Sequence, residues 1–144
     1  VIAMGDGGNW IDPLVDRQKM ESLALLMDPE PEDSAVVGKA AAILEGFYSG
    51  ETRDEVGRPL VERVRKSRIL GREFPVMVEF VGDVQYRVID LLLEEDEDIT
   101  IVDFKTGGKP AVLPEKYLVQ QEVYTEAVRR LAPGKTVKFE FWWI

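Results

Sequence analysis

The feature that most constrains this chain is a pair of apolar segments separated by a short acidic run. Val84–Leu93 and Ile99–Thr106 are rich in β-branched and large apolar residues, and Glu94–Asp98 between them is entirely acidic. Apolar segments of this length and composition predict strands, and a polar run between two of them predicts a turn. The stretch therefore predicts a β-hairpin with a solvated turn.

Each predicted strand carries a carboxylate inside its apolar run. Asp90 interrupts the first segment and Asp103 interrupts the second. Asp is uncommon in strands, and removing its charge from water is costly, so both placements need a reason. Lys105 follows Asp103 by two residues and lies on the same face, because side chains alternate along a strand. The pattern predicts that two carboxylates and one ammonium group converge.

Such a group is suited to a divalent cation and to phosphate chemistry. Mg²⁺ prefers carboxylate, carbonyl and water oxygens, and an ion held by Asp90 and Asp103 would acidify a water and polarise a phosphodiester. Lys105 would stabilise charge developing on the phosphate or position the attacking water. A structural interpretation stays open beside this one, namely an ion pair between strands or strand ends that reach solvent.

The same residues resemble a known nuclease signature. An Asp at the end of one strand and Asp-x-Lys on the next is the pattern of the PD-(D/E)XK nuclease superfamily. More narrowly, Arg87–Asp90 followed by Ile101–Gly107 is similar to the RecB-type nuclease domain that ends many UvrD-like helicases and the AddA/AddB proteins. Arg72–Pro75 matches the preceding strand of that domain, and the following helix motif matches at Tyr117, Gln120 and Tyr124. The resemblance covers residues from about 70 to 144.

The resemblance implies a metal-dependent DNA nuclease that hydrolyses phosphodiester bonds. It would work with a helicase, in the same chain or complex, in DNA end processing or recombinational repair. The residues implied for catalysis are Asp90, Asp103, Lys105, Gln120 and Tyr124. The implied ion is Mg²⁺ or Mn²⁺, held by Asp90, Asp103 and the backbone carbonyl of Phe104.

One part of the family pattern is missing. Most RecB-like nucleases carry a His in an upstream helix as a further metal ligand, and this sequence contains no histidine. Either an acidic helix residue substitutes, with Glu21, Glu45 and Glu62 as candidates, or the segment that bears the ligand lies outside this sequence. An alternative function therefore stays open: a nuclease-fold module that no longer cuts and instead binds DNA or scaffolds a helicase.

Composition sets the broad class. A chain of 144 residues with 45% hydrophobic and 31% charged residues matches one globular domain rather than a disordered chain. No apolar run approaches the length of a membrane span, and no secretory leader follows Val1. Cysteine is absent, as is common in a reducing cytoplasm. We expect one nuclease-like domain over residues 1–144, cut from a larger cytoplasmic helicase-nuclease.

The net charge of −9 is opposite in sign to the positive charge that is typical of nucleic-acid-binding domains. Bound metal ions would neutralise part of this negative charge. A helicase partner would have to supply any further affinity for DNA that binding requires. Basic residues do cluster at Arg63, Arg65, Lys66, Arg68 and Arg72. A phosphate-facing patch and a solvated helix face are both open interpretations of this cluster.

The predicted elements fall into a helical part over 1–70 and a catalytic core over 71–144. Helices are predicted at about 10–27, at Ala35–Tyr48 and at Glu51–Ser67, the last with Val56, Leu60, Val61 and Val64 facing inward. The core has strands at Phe74–Val81, Val84–Leu93 and Ile99–Thr106, a helix at Glu115–Leu131 and a strand at Val137–Ile144. Helices followed by an antiparallel meander, a helix and a further strand predict an α+β or α/β fold. The resemblance implies a restriction-endonuclease-like core.

Overall fold

A computed structural model of the chain describes residues 34–144, so the helix predicted at about 10–27, with Glu21, lies outside the described residues. The described elements, in chain order, are α1 (Ser34–Tyr48), α2 (Leu60–Lys66), β1 (Arg68–Phe80), β2 (Asp83–Glu95), β3 (Asp98–Lys105), α3 (Glu115–Leu131) and β4 (Thr136–Trp143). The chain divides into two compact units between Arg63 and Val64.

The first unit contains α1, which confirms the helix predicted from Ala35 to Tyr48. The helix ends at Tyr48, and two residues later Gly50 has a φ of 85°, in the left-handed region that glycine adopts without steric cost. The N–H of Gly50 donates to the carbonyl of Phe47 at 3.3 Å and closes the last turn. Phe47 and Tyr48 are buried, and their rings meet edge to face with centroids 5.3 Å apart.

The helix predicted over Glu51–Ser67 is wrong in its first half, because α2 begins only at Leu60. The side chain of Asp54 accepts hydrogen bonds from the backbone N–H of Val56 at 3.1 Å and of Arg58 at 2.9 Å. These bonds satisfy locally the donors that a helix would use, which is how Asp stabilises a turn. Val56, predicted to face inward, is 76% exposed.

Two further residues prevent a helix in the same segment. Gly57 has a φ of 84°, outside the helical region, and Pro59 has no N–H to donate. Pro59 instead forms an isolated bridge with Arg53. Once past Pro59 the apolar pattern holds, since Leu60, Val61 and Val64 are buried as predicted.

The second unit is a four-stranded sheet, in the order β1-β2-β3-β4, with α3 against one face. β1 to β3 form an antiparallel meander, and β4 adds parallel to β3. A parallel neighbour needs a crossover connection, and α3 lies within it. The α+β class and the three-stranded meander with a helix and a further strand are confirmed.

β1 and β2 are each longer than predicted. β1 begins at Arg68, paired with Glu94, and not at Phe74. The acidic turn is reduced to Asp96 and Glu97, because Glu95 pairs with Asp98 as the last rung of the β2–β3 ladder. Cross-strand pairing therefore extends both strands into sequence that is locally polar.

The core of this unit lies between the sheet and α3. The helix contributes Val123, Tyr124, Ala127 and Val128, and the sheet contributes Val76, Val78, Ile89, Leu92, Ile99 and Ile101. Each large apolar side chain buried here stabilises the fold by roughly 1.5–3 kcal/mol. No helix in residues 34–144 has the length and apolar character needed to cross a bilayer.

Alternation along β3 determines which residues face α3. Ile99 and Ile101 belong to the core beneath the helix. Asp103 and Lys105 continue the same face by the period of two. The intervening Phe104 points to the other face, where its ring packs 5.9 Å from that of Trp142. The apolar face of β3 therefore ends in an acid and a base directly under the first turns of α3.

Candidate active site

Asp90 lies where β2 and β3 separate. Their ladder runs from Glu95 paired with Asp98 to Leu91 paired with Val102, and it ends one residue before Asp90. Beyond that point the Asp90 Oδ2 accepts a hydrogen bond from the Phe104 N–H at 2.8 Å. A side-chain carboxylate thus replaces the main-chain acceptor that a continued ladder would supply, and it holds Asp90 against the end of β3.

The opposite side of β2 is irregular at the same level. Glu73 falls between the pairs Arg72–Leu91 and Phe74–Ile89 and has a φ of 46°. A positive φ at a non-glycine residue marks a local break in the strand geometry. Asp90 therefore lies at a point where β2 departs from regular pairing with both neighbours.

Asp103 is nearly inaccessible, with 4% of its surface exposed. Its Oδ1 accepts a hydrogen bond from Gln120 Nε2 at 2.7 Å. Its Oδ2 lies 2.7 Å from Lys105 Nζ. That contact is an ion pair without hydrogen-bond alignment, because Oδ2 accepts no hydrogen bond within the described part of the chain. A buried carboxylate oxygen in this state has coordination capacity left for a cation.

The Lys105 ammonium group is held on several sides, and its side chain is 17% exposed. Besides Asp103, it donates to Gln120 Oε1 at 3.3 Å. The nitrogen lies 4.3 Å from the centroid of the Tyr117 ring and 5.6 Å from that of Phe141. Aromatic faces attract a cation and compensate for lost hydration. Lys105 is thereby held in position in a poorly hydrated place.

Gln120 and Tyr124 connect this acid–base pair to the helix. They lie four residues apart on α3 and therefore on one face. Gln120 Nε2 also donates to the Tyr124 hydroxyl at 3.3 Å, and that hydroxyl donates to the backbone carbonyl of Val88 at 2.9 Å. A continuous polar chain thus joins Lys105 and Asp103 of β3, through α3, to β2.

Burial and the neighbouring charges shift two pKa values at the site. Burial raises the pKa of Asp90, the charges of Asp103 and Glu73 raise it further, and the Phe104 N–H and Lys105 oppose the rise. The pKa of Tyr124 is also raised, chiefly by burial, although the hydrogen bond from Gln120 acts to lower it. Tyr124 is therefore a neutral phenol at pH 7, as its bond to the Val88 carbonyl requires.

The structure brings the predicted site residues together at the end of β3 and the start of α3. They are Asp90, Asp103, Lys105, Gln120 and Tyr124, and the backbone of Phe104 joins them through Asp90. Their catalytic roles remain a prediction. Of the proposed substitutes for the missing histidine, Glu45 and Glu62 are exposed residues of the first unit.

The predicted phosphate-facing patch cannot include Arg63. Arg63 is only 7% exposed, and its Nη1 lies 3.4 Å from the equally buried Asp54 carboxylate. Arg68 pairs with Glu94 at 3.9 Å. An arginine buried in an ion pair cannot face a phosphate, so the interpretation as a phosphate-facing patch is wrong for Arg63.

Sequence reasoning missed the surroundings of Lys105 and a cleft beside the network. A cleft of about 520 Å³ is bordered by Arg87 of β2 and by residues of the first turns of α3. The cage around Lys105 includes Phe141, which pairs in register with Asp103. The period-two aromatic pattern of Phe139, Phe141 and Trp143 was the available signal for a face of β4 directed toward α3.

The donor set fits a magnesium-like ion. Within residues 34–144 no group of three or more His, Cys, Asp or Glu side chains could hold a metal ion. Two carboxylates, Asp90 and Asp103, remain, and the Phe104 carbonyl points to the same edge of β3 as the N–H that Asp90 accepts. Mg²⁺ is commonly bound by one or two carboxylates with water and substrate phosphate, rather than by an all-protein cage.

An Asp on one strand where its ladder with the next strand ends, Asp-x-Lys on that neighbour, and Gln and Tyr on a helix above the sheet define a restriction-endonuclease-like nuclease core. The chain belongs to the PD-(D/E)XK nuclease superfamily, whose family model matches residues 13–144. This confirms the resemblance predicted from the motifs.

Two curated proteins similar to this chain are named as subunits of an ATP-dependent helicase/nuclease. The protein from Alkaliphilus oremlandii is 27% identical over 125 residues, which cover 74% of this chain and 10% of the relative. The protein from Thermoanaerobacter sp. strain X514 is 26% identical over 117 residues, which cover 68% of this chain and 9% of the relative. The chain thus spans about a tenth of the length of these relatives.

Proposed function

We propose that this chain is a Mg²⁺- or Mn²⁺-dependent deoxyribonuclease domain that works with a helicase in DNA end processing or recombinational repair. The observation that carries the proposal is the buried Asp103, with an oxygen that contacts Lys105 but accepts no hydrogen bond in the described part of the chain, beside Asp90. The names of the relatives combine a helicase and a nuclease, which supports the helicase setting.

Asp90, Asp103 and the Phe104 carbonyl would hold the metal ion. When bound, the ion supplies Lewis acidity to the phosphodiester and lowers the pKa of a water. The strands contribute rigidity, because Asp90 is fixed by the Phe104 N–H at 2.8 Å and Asp103 by Gln120 at 2.7 Å. Both carboxylates are therefore positioned before substrate arrives, which lowers the reorganisation needed for reaction.

Lys105 would stabilise the negative charge that develops on the phosphate. In the resting site its ammonium group neutralises Asp103 Oδ2 at 2.7 Å. With a divalent cation held by Asp90 and Asp103, the Asp103 charge would be neutralised and Lys105 would be free to turn to the phosphate. The Tyr117 ring, 4.3 Å from Lys105 Nζ, would limit how far the lysine moves. Gln120 and Tyr124 would orient these groups.

A second function is supported by the composition of the site. The sequence contains no histidine, and the described residues hold no third metal-ligating side chain in the group. A nuclease-fold module with this deficit would bind DNA or scaffold a helicase without cutting. The intact Asp90, Asp103 and Lys105 favour the nuclease.

Replacement of Lys105 distinguishes the nuclease from the module that binds DNA or scaffolds a helicase without cutting. Cleavage of single- and double-stranded DNA is measured with Mg²⁺ and with Mn²⁺ for wild type and Lys105→Ala, in the full-length parent protein if the isolated chain is inert. We expect the rate to fall about a hundred- to a thousand-fold, the usual cost of deleting one preorganised donor. Lys135→Ala, at an exposed lysine in the turn before β4, serves as the matched control.

Two results would overturn parts of this proposal. Equal cleavage by Lys105→Ala and wild type would remove Lys105 from the mechanism. Absence of cleavage by full-length wild type with either metal would favour the DNA-binding or scaffolding module.

A further inference from the structure

A cleft opens directly beside the polar network of the proposed active site. Its volume is about 520 Å³, and Gln120 and Tyr124 form part of its lining. The same two side chains bond to each other at 3.3 Å, and Gln120 reaches Asp103 at 2.7 Å. A ligand in this cleft would therefore contact the residues that position the buried acid and base.

Two cations stand at the cleft on different elements. Arg87 of β2 is paired with Val76, which is buried in the core beneath α3. Residues directly opposite each other on paired strands share a face, so Arg87 points toward α3. Its Nη1 donates to the backbone carbonyl of its neighbour Tyr86 at 2.8 Å, which restrains the guanidinium group. The remaining N–H groups of the Arg87 guanidinium lie on the face of the sheet that carries α3.

Lys116 supplies the second cation, from the first turn of α3. Its Nζ lies 5.3 Å from the centroid of the Tyr117 ring, which also lines the cleft. Neither Arg87 nor Lys116 has a carboxylate within ion-pair distance in the part of the chain that the structure describes. By contrast, Arg130, on the far end of the same helix, pairs with Glu126 at 2.9 Å.

This contrast is informative because acids outnumber bases in the chain, 27 to 18. Two cations that flank one cleft and have no acidic partner among residues 34–144 create a local positive field in an otherwise acidic protein. Clefts focus such fields and attract anions. Glu115 lines the same cleft and opposes the field.

We propose that Arg87 and Lys116 form a phosphate-binding pair that holds the nucleotide adjacent to the scissile phosphate. The proposal rests on the nuclease function above. The guanidinium fork is suited to two phosphate oxygens, and the lysine acts as a point charge. A cleft of about 520 Å³ is in the size range of small-molecule sites and accommodates roughly one nucleotide. Arg87 and Lys116 are binding residues, whereas Lys105 acts at the reacting phosphate.

Salt dependence of DNA binding distinguishes phosphate contacts from structural effects. Fluorescence anisotropy of a labelled oligonucleotide is measured with Mg²⁺ in the Lys105→Ala background, in which cleavage is suppressed. Arg87→Gln and Lys116→Gln should each weaken binding about 5- to 10-fold. Each should also reduce the slope of log affinity against log salt by roughly 0.7 on a single strand.

Matched variants separate a local effect from a change in total charge. Arg129→Gln and Lys135→Gln remove the same charges from exposed positions elsewhere in this unit and should leave affinity and slope unchanged. Glu115→Gln should tighten binding, because it removes the opposing charge from the cleft. Unchanged melting temperatures of Arg87→Gln and Lys116→Gln would show that the fold is intact.

Kinetics give the second measurement. With Lys105 present, Arg87→Gln and Lys116→Gln should raise KM while kcat stays within about twofold, as expected for a contact made equally in ground and transition states. If wild type cuts DNA and the two variants bind as tightly as the controls, the phosphate-binding pair is wrong and the nuclease function stands. If wild type binds without cutting and only these two variants lose affinity, the pair is supported and the nuclease function fails. If wild type neither binds nor cuts, both proposals fail.

Discussion

Asp90 is a carboxylate that the folded chain solvates poorly in the absence of a cation. Burial is the largest cause of its raised pKa, and the charges of Asp103 and Glu73 add to it. The folded state therefore retains the Asp90 proton to a higher pH than the unfolded state does. Between the two pKa values the folded state binds more protons, so the contribution of Asp90 to stability falls as pH rises through that interval.

Asp90→Asn should consequently stabilise the metal-free protein at neutral pH. The amide is nearly isosteric, and its oxygen can still accept the hydrogen bond from the Phe104 N–H, but it carries no charge. We expect the melting temperature in chelator at pH 7–8 to exceed that of wild type by about 2–4 °C, which corresponds to roughly 1 kcal/mol. The difference should disappear as pH falls toward the ordinary Asp pKa of 3.8, where wild type is also protonated.

Asp83→Asn provides the control for this measurement, because Asp83 is an exposed carboxylate on the same strand. Melting curves of the three proteins across pH 4–8 give the result. An advantage of Asp90→Asn that is the same at every pH, or no advantage at pH 7–8, would show that the charge of Asp90 is not what the substitution relieves.

At the scale of elements, α3 performs two tasks with one face. Val123, Ala127 and Val128 are buried against the sheet, while Gln120 and Tyr124 bond to the site. Gln120 lies in the N-terminal half of the helix, Tyr124 lies just past its midpoint, and the buried Ala127 and Val128 follow one turn later. The packing of Val123, Ala127 and Val128 against the sheet therefore fixes the position of α3, and with it the position of the Gln120 amide beside Asp103.

Gln120 and Tyr124 should respond differently to substitution. Gln120→Ala should lower cleavage or DNA affinity about tenfold or more while reducing stability by no more than about 1 kcal/mol, because Lys105 still neutralises Asp103. Tyr124→Phe should reduce stability by about 1–3 kcal/mol, because it removes the donor to the Val88 carbonyl in a buried place. Chemical denaturation and cleavage assays on both variants test the difference. A large stability loss in Gln120→Ala with normal handling of DNA would indicate that Gln120 is a packing residue.

Local periodicity explains which elements could be predicted from the sequence. The helix Glu115–Leu131 has the predicted bounds, because its apolar residues recur at three- and four-residue steps. The segment after Glu51 could not be predicted in this way, since Asp54 forms side-chain bonds to the backbone that compete with the helix. The early start of β1 depends on pairing with Glu94, which is a contact between distant residues.

In the candidate site, too, the placements within one element could be predicted from the sequence and the contacts between elements could not. The period of two placed Asp103 beside Lys105, and the step of four placed Gln120 beside Tyr124. That this face of the helix meets Asp103 and Lys105 was implied only by the family resemblance, because no local period relates a helix to a strand. The Val88 carbonyl that receives the Tyr124 hydroxyl is a backbone atom that any residue would provide. Arg87 lay within the motif of the Asp90 strand, but its place at a cleft depends on how β2 is aligned under α3, which no local pattern specifies.

For the whole molecule, the excess of acidic residues opposes the proposed binding of DNA. A net charge of −9 repels a nucleic acid at long range, and the field is weakened by salt. Binding of DNA near Asp90 and Asp103 would therefore require positive charge close to these two carboxylates. A divalent cation and the two cations of the cleft would provide it, and a helicase would supply contacts outside this chain.

Metal binding should consequently appear as a change in the stability of the folded protein. Only the folded chain presents Asp90 and Asp103 together, so Mg²⁺ or Mn²⁺ should raise the melting temperature by mass action. The gain is about 2.7 kcal/mol when the ion is at a hundred times its dissociation constant. Potassium chloride at equal ionic strength is the control for general screening of the acidic surface, and Asp83→Ala is the control for loss of one carboxylate.

Asp90→Ala and Asp103→Ala should each abolish the rise caused by the divalent ion but not the smaller rise caused by potassium. Asp90→Asn makes the test sharper, because it should be more stable than wild type in chelator and less stable than wild type in saturating Mg²⁺. This reversal requires one carboxylate to be unfavourable without metal and favourable with it, which general screening cannot produce. An unchanged rise with Mg²⁺ in both Asp90→Ala and Asp103→Ala would place the ion elsewhere, since each variant lacks one of the two carboxylates that the end of β3 offers.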